Sequence, residues 1–458
     1  MKVIICGAGQ VGWQIARHLA AEQNDVTVVD NDPALVRRAT DALDVGGIAG
    51  FASHPDVLER AGARDADMII AATFADEVNM VACQVAHSVF SVPRKIARVR
   101  AQSYLDPQWS DIYRQDHMPI DVIISPEKEV AEAALRRLAA PSAFDIESFL
   151  DGRVELIGLK LEDGCAVLDT PLRQLTELFS TLRAFVVGIR RKGKLRTADP
   201  DDQLLEDDEV YVITAREDVP RMLEIFGKSA SSGVRTLILG AGNVGLDVAQ
   251  QLEAGSRKNR TKVIERSRAR AEWAADRLDR TIVLNGDGLS VEIMEEAGIT
   301  ATDSFLAMTD DDKTNLLSCA RAKTMGATFV VCLVNDPSLV PLMDPLGIDA
   351  YVNPRATTVS SILRHVRHGR VRAVYSVGDA EAEVIEAQVL STSPIAGKRI
   401  RDAGLPDGAV IGALLKGSTL TMPRGDTLID EGDIVTVFSL SRQVPLVEQL
   451  FRVSIDFF

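Results

Sequence analysis

Gly7-Ala8-Gly9-Gln10-Val11-Gly12 sets three glycines at the spacing G-x-G-x-x-G, directly after the apolar run Val3-Ile4-Ile5-Cys6 and ahead of a helical pattern over Val11 to Ala20. In that context the spacing has a chemical use. The first two glycines let the backbone turn and approach a pyrophosphate, which rests on the N–H groups and positive dipole of the helix N-terminus; Gly12 permits close helix–strand packing. A glycine turn with no ligand is the alternative. Asp30 closes the next apolar run, Val26-Thr27-Val28-Val29, about 20 residues past the loop, where a carboxylate accepts hydrogen bonds from adenosine ribose hydroxyls. An acid there repels a 2′-phosphate, so NAD(H) is expected over NADP(H).

The same chemistry recurs downstream. Gly240-Ala241-Gly242-Asn243-Val244-Gly245 follows Leu237-Ile238-Leu239, and Glu265 closes Thr261-Lys262-Val263-Ile264. Arg266 and Arg268 stand close behind this acid and leave its nucleotide preference open, and a duplicated fold can outlive its site. Thr73 and Thr309 follow the apolar runs 68–72 and 304–308, which places them at C-terminal strand ends, where open α/β sheets bind ligands. Thr73 with its neighbour Phe74, and Thr309, are therefore candidate contacts. Either Thr could instead cap the next helix, with Asn79 and Asn315 as polar residues on it. Arg98 and Arg100 flank Val99 on a further strand-like run, and alternation sets both guanidiniums on one face, suited to phosphate oxygens or to a surface salt-bridge pair.

No acid–base or metal pattern accompanies these loops. His18 falls on the first helix, His365 and His368 lie in the basic stretch Arg364 to Arg372, and His54, His87 and His117 have no partner spacing. That basic stretch is expected to be a solvated face or a protein contact. Asp310-Asp311-Asp312 suits the acidic start of a helix.

The elements that must carry these residues form an internal repeat. Besides the glycine loops and acids, Ala61-Gly62 answers Ala297-Gly298, and Ala72-Thr73-Phe74-Ala75-Asp76-Glu77-Val78-Asn79 answers Met308-Thr309-Asp310-Asp311-Asp312-Lys313-Thr314-Asn315. A short insertion near Ser256 to Asn259 accounts for the drift in spacing. Strand-like runs alternate with helical patterns such as Pro33 to Leu43, the alternation of a parallel sheet with right-handed crossovers. Near residues 145 and 371 each copy changes to short alternating strands: 154–159, 185–189 and 210–213 in the first, 384–389, 410–415 and 434–438 in the second. Gly188 and Gly193 there match Gly412 and Gly417. The fold class is α/β, with tandem duplicated Rossmann-type parallel-sheet domains, each followed by a small α+β subdomain. The expected division is 1–140, 145–226, a linker over 227–233, 234–367 and 371–458.

The chain has 458 residues, material for about two to four domains. Its 51 basic against 66 acidic residues give a net charge of −15, which repels nucleic-acid phosphate and anionic headgroups. No segment approaches the ~18–20 apolar residues of a membrane span. The five cysteines are scattered in apolar runs without a C-x-x-C, as expected of buried thiols in a reducing cytoplasm.

Together, Gly7 to Gly12, Thr27-Val28-Val29-Asp30, Ser53-His54-Pro55, Asp67-Met68 leading to Thr73, and Asp76-Glu77-Val78-Asn79-Met80-Val81-Ala82-Cys83-Gln84 resemble the regulatory subunits of the bacterial Trk potassium-uptake system, tandem RCK-domain proteins. Gly286-Asp287, Thr309-Asp310-Asp311-Asp312 and Asn315 extend the resemblance into the second copy. It implies paired Rossmann halves that bind NAD(H) or, at one or both sites, ATP or ADP instead, and small subdomains that aid ligand sensing or assembly. It further implies a dimer or tetramer ring on the cytoplasmic face of the inner membrane, docked on an integral potassium-conducting subunit. Arg98 matches the family's phosphate-side arginine by position. Related domains place an acid after the glycine ending the third strand, as Gly286-Asp287 does, which makes Asp287 a ligand candidate. The first copy has Gly50-Phe51 instead, and Gly46-Gly47 dilutes the strand expected before it. The expected function is a non-enzymatic regulator whose halves rearrange on nucleotide binding. The alternatives are a soluble NAD-dependent oxidoreductase with an unrecognised catalytic site, and a cytosolic binding protein with no membrane partner.

Overall fold

A computed structural model describes residues 1–21, 24–114, 116–228, 235–255, 258–366, 371–377 and 381–451. Most of the expected linker, Ser256 and Arg257 of the expected insertion, and Arg367 to Arg370 of the basic stretch lie outside this set.

Lys2–Cys6 forms β1 and Gln10–Ala21 forms α1, with the glycine turn between them. Val3 and Ile5 enter the core on one face of β1 and Ile4 and Cys6 the core on the other, which is why the strand is apolar throughout. α1 buries Gly12, Ile15, Ala16 and Leu19, the spacing of a helix with one face inward. Then come β2 (Asp25–Asp30), α2 (Pro33–Ala42), β3 (Gly46–Ala49), α3 (Pro55–Arg60), β4 (Met68–Ala71), α4 (Asp76–Phe90), β5 (Arg94–Arg98), β6 (Val122–Ile124) and α5 (Pro126–Ala139). The strands are parallel in the order β3-β2-β1-β4-β5-β6, so the winding reverses between β1 and β4 and opens a crevice beyond their C-terminal ends. Contrary to the expected dilution by its glycines, β3 is fully paired, from Thr27 opposite Gly46 to Asp30 opposite Ala49. Gly47 is required by packing, because a Cβ there would lie 2.5 Å from Thr40 Cγ2 and 2.7 Å from Val36 Cγ1 on α2.

The first small subdomain holds β7 (Ala143–Phe149), β8 (Val154–Lys160), α6 (Leu172–Leu178), β9 (Ala184–Arg191), β10 (Lys194–Thr197), β11 (Glu209–Ala215) and α7 (Val219–Ile225). Its antiparallel sheet runs β10-β9-β11-β8-β7.

The second Rossmann half repeats the first: β12 (Arg235–Leu239), α8 (Asn243–Ala254), β13 (Arg260–Glu265), α9 (Arg268–Ala275), β14 (Ile282–Asn285), α10 (Val291–Ala297), β15 (Ser304–Ala307), α11 (Asp312–Thr324), β16 (Phe329–Leu333), β17 (Ala350–Val352) and α12 (Pro354–Val366). Its order, β14-β13-β12-β15-β16-β17, reproduces that of the first sheet strand for strand. The last segment adds β18 (Val371–Val377), β19 (Ala382–Gln388), β20 (Lys398–Arg399), β21 (Ala409–Lys416), β22 (Thr419–Thr421), β23 (Leu428–Ile429), β24 (Ile434–Leu440) and α13 (Val444–Gln449). It forms a five-stranded sheet, β18-β19-β24-β21-β22, and a β20-β23 pair.

Two compact units result, and neither is continuous in sequence: 1–134 with 235–366, and 135–234 with 367–458. Within the first unit α12 of the second half packs on α1 of the first, with Val359, Ile362 and Val366 in one core with Ile15 and Leu19. Arg364, of the stretch expected to be a solvated face or a protein contact, joins Glu129 of the first half at 3.1 Å across this junction. In the second unit the two small sheets share a core that brings Val187, Tyr211 and Ile213 against Val384, Ala413 and Phe438. The matching glycines permit that approach: a Cβ on Gly188 would lie 2.7 Å from Phe438, and one on Gly412 2.4 Å from Ile213. Two polar contacts fix the same junction, the buried Leu150 N–H to Glu386 Oε2 at 2.7 Å and the half-buried Tyr375 O–H to Asp145 Oδ1 at 2.5 Å. Burial raises the pKa of both Asp145 and Tyr375 above the ordinary values.

Candidate functional site

Both glycine loops have one geometry, set by where a side chain would collide. Gly7 has φ +107° and Gly240 +99°, a region that L side chains avoid, and their N–H groups donate to Val29 O and Ile264 O. A Cβ at Gly12 would sit 1.8 Å from Gly7 O, and one at Gly245 2.0 Å from Gly240 O. These two glycines therefore let the helix close onto its own strand turn. At Gly9 and Gly242 a Cβ meets no atom of the described residues within 4 Å. Glycine at those positions is not demanded by the protein's own packing, and what it leaves accessible is the backbone at the start of α1 and α8. Gln10, Val11 and Gly12 open α1, as Asn243, Val244 and Gly245 open α8, so free N–H groups and the positive end of the dipole face the crevice.

The acids lock these loops. Asp30 Oδ2 accepts from Ala8 N–H at 2.6 Å and Oδ1 from Asp32 N–H at 2.9 Å. Glu265 does the same with Ala241 N–H and Ser267 N–H, both at 2.8 Å. Each carboxylate oxygen keeps a second acceptor site, so the acid can hold its loop and still receive a ribose hydroxyl.

Neither Thr caps a helix. α4 begins after Ala75 and α11 after Asp311, whose carboxylate accepts from Thr314 N–H. Instead Thr73 donates both its N–H and its hydroxyl to Asn79 Oδ1, at 2.8 and 2.7 Å, and Asn79 Nδ2 donates to Thr73 O and Arg98 O. Thr309, Asn315 and Leu333 O repeat the arrangement. Both asparagines are wholly buried, so each amide is a clasp that ties the end of β4 or β15 to that of β5 or β16. The recurrence of Asn79 and Asn315 at matching positions of the repeat is the sequence signal of this clasp. Asn79→Ala takes the partner from Thr73 N–H and Arg98 O and one of two partners from the Thr73 hydroxyl and carbonyl, which keep Ala75 O and Arg98 Nη1, and is expected to cost about 2–4 kcal/mol. A lowered urea midpoint at unchanged slope is the measurement; an unchanged midpoint removes the clasp.

Arg98 ends β5, and Arg100 lies beyond it, so the two do not share a strand face as alternation had suggested. Arg100 takes the salt-bridge role, Nε to Glu127 Oε1 at 2.9 Å. Arg98 remains directed at the site: Nη1 donates to Thr73 O at 3.4 Å, and its buried Nε has no hydrogen-bond partner among the described residues. Burial, reinforced by Arg100, pushes this guanidinium below its ordinary pKa, an environment that an anion would relieve. Both arginines also line a cleft of about 800 Å³ together with Gly242, Asn243, Val244 and Thr309 of the other half. The spacing of residues gave no hint that the second loop would face first-half arginines.

The copies differ around the second acid. Arg268 pairs with Glu272, whereas Arg270, passed over in the sequence, reaches the loop: Nε donates to Ala241 O at 2.7 Å and Nη2 to Asn243 Oδ1 at 3.1 Å. Its guanidinium lies 3.8 Å from the Trp273 ring centroid. Asp287 follows β14 and accepts from Leu289 N–H at 2.9 Å, while Phe74, beside Thr73, is 86% exposed. Among the described residues no group of three or more His, Cys, Asp or Glu could hold a metal, and no helix is long and apolar enough to cross a membrane. All five cysteines are free and buried.

Comparison with known proteins bears on the whole chain. The description TrkA-N domain matches residues 3–126 and again 236–354, and TrkA-C domain matches 156–227 and 384–452. The Trk system potassium uptake protein TrkA of Azorhizobium caulinodans is 50% identical over 458 residues, 100% of each chain. That of Halomonas elongata is 38% identical over 462 residues, also 100% of each. Among solved structures, the GsuK RCK domain superposes with TM-score 0.57 at 17% identity, covering 98% of this chain and 94% of that one. The GsuK channel bound to NAD gives 0.59 at 18% identity, covering 98% and 78%. At these identities the likeness is one of fold.

Proposed function

The chain belongs to the TrkA family of Trk potassium-uptake proteins, and we propose that it works there as a regulatory subunit that gates potassium conduction in response to NAD(H) or an adenine nucleotide. The observation that carries this reading is the duplicated cradle, in which an acid holds the N–H of Ala8 or Ala241 while Gly9 or Gly242 keeps the helix start open. A channel of the same fold carries NAD, which supports a dinucleotide on such a loop.

In the first site Gly7, Ala8, Gly9, Gln10, Val11 and Gly12 bind the phosphates, Asp30 the ribose, and Thr73, Phe74 and Arg98 the far side. In the second, Gly240, Ala241, Gly242, Asn243, Val244 and Gly245, with Glu265, Asp287 and Thr309, take the corresponding parts. ATP or ADP can occupy either cradle through the same groups. Binding regulates only if it differs between arrangements of the halves. The cleft that unites Arg98 and Arg100 with the Gly242 loop supplies such a difference, since an anion there bridges both halves. The protein acts without turnover, as a dimer or tetramer ring held to the cytoplasmic face of the membrane by an integral potassium-conducting subunit. The division into 1–140, 145–226, 227–233, 234–367 and 371–458 is part of this proposal.

Asp30→Arg tests it. The variant loses the acceptor for Ala8 N–H and the ribose, and NADH binding at the first site should weaken about 10- to 100-fold. In proteoliposomes containing the membrane subunit, NADH should then lose its control of potassium flux through that site. Control that survives intact overturns the mechanism, and steady NADH oxidation by the wild-type chain would favour an oxidoreductase.

A further inference from the structure

At two matching positions beside the loops, the first copy has an exposed aromatic where the second has a carboxylate: Phe51 against Asp287, and Phe74 against Asp310. Phe51 sits where the sheet order requires the base of a bound nucleotide. Phosphates rest on the turn after β1 and the ribose on Asp30 at the end of β2, so the base continues outward over the end of β3, whose next residues are Gly50 and Phe51. The turn is held in place: Gly50 N–H donates to Asp30 O at 2.9 Å, and His54 N–H to Phe51 O at 3.0 Å. The Phe51 ring, 53% exposed, packs on the His54 ring at 5.4 Å between centroids and 39° between planes. Asp287 at the matching point offers an acceptor for an exocyclic amine; a phenyl ring offers none, only a face on which any base can stack.

We propose that the first site holds the base of its ligand by stacking on Phe51 and does not read the exocyclic group, so it accepts a 6-oxo purine dinucleotide as readily as NADH. The inference rests on the nucleotide-binding reading above and names the base specificity of that site.

The full chain carrying Gly242→Asp, which silences the second loop, is titrated calorimetrically with NADH and with reduced nicotinamide hypoxanthine dinucleotide. The two should bind within about threefold of each other. Adding Phe51→Ala should weaken both by about tenfold or more, and Phe51→Tyr should restore both. A tenfold preference for NADH in the Gly242→Asp chain, or Phe51→Ala binding like its parent, overturns stacking while leaving the nucleotide site standing. Failure of the wild-type chain to bind NADH at all brings down both, and binding by wild type but not by Gly242→Asp assigns the ligand to the second loop and overturns this inference alone.

Discussion

Gly12→Ala is expected to unfold the first Rossmann half at a markedly lower temperature, while Gly9→Ala leaves it nearly unchanged. The same methyl group is added three residues apart with opposite results. At Gly12 the Cβ would lie 1.8 Å from Gly7 O, a backbone atom that cannot rotate away, so either α1 must lift off β1 or the turn must deform. Lifting α1 also breaks its packing with α12, where Ile15 and Leu19 share a core with Val359 and Ile362. Overpacking of this kind costs about 3 kcal/mol or more, a drop in midpoint on the order of 10 °C. At Gly9 a Cβ meets no atom of the described residues within 4 Å, and the change should stay within about 1 kcal/mol. Thermal unfolding followed by circular dichroism decides the matter, and equal midpoints for the two variants would mean that α1 does not seat as closely as described.

Gly9→Asp and Gly242→Asp should each remove one nucleotide site without unfolding the chain. Both positions accept a Cβ, and Gly242 is the cap residue of α8 with φ −63°, a place where aspartate is favoured. The new carboxylate nevertheless points into the cradle where a pyrophosphate must rest. At about 4 Å and an effective dielectric near 20 the repulsion is roughly 4 kcal/mol, so affinity should fall about 100-fold or more. Calorimetric titration with NADH and with ADP should show one class of sites disappear in each single variant and all binding lost in the double variant. A double variant that binds like wild type would show that neither loop receives phosphate.

Much of this was legible in order along the chain. The glycine spacing, the acid ending the next strand and the repetition of both are local patterns, and they define the paired Rossmann halves because each depends on residues within about one βαβ unit. The family resemblance followed from the same residues. Local patterns also misled where a neighbour in space decided the outcome. Gly46-Gly47 looked like a weakened strand, yet Gly47 is what lets α2 lie against a fully paired β3. For Thr73 and Thr309 the sequence left ligand contact and helix capping open; neither caps, and each is bound by an asparagine that also reaches the next strand. Arg98 and Arg100 looked like one face of a strand, but the strand ends between them and Glu127 claims Arg100.

The tertiary structure alone decided which segments share a unit. Along the chain the order is large, small, large, small, but in space the two large halves form one unit and the two small sheets another. The contacts that do this, α12 on α1, Phe438 over Gly188 and Glu386 on Leu150, join residues more than two hundred positions apart. A hydrophobic stripe in sequence declares that it must be covered but not by what; the cover is chosen by shape and by which buried polar groups find partners, and those exist only once the chain has folded.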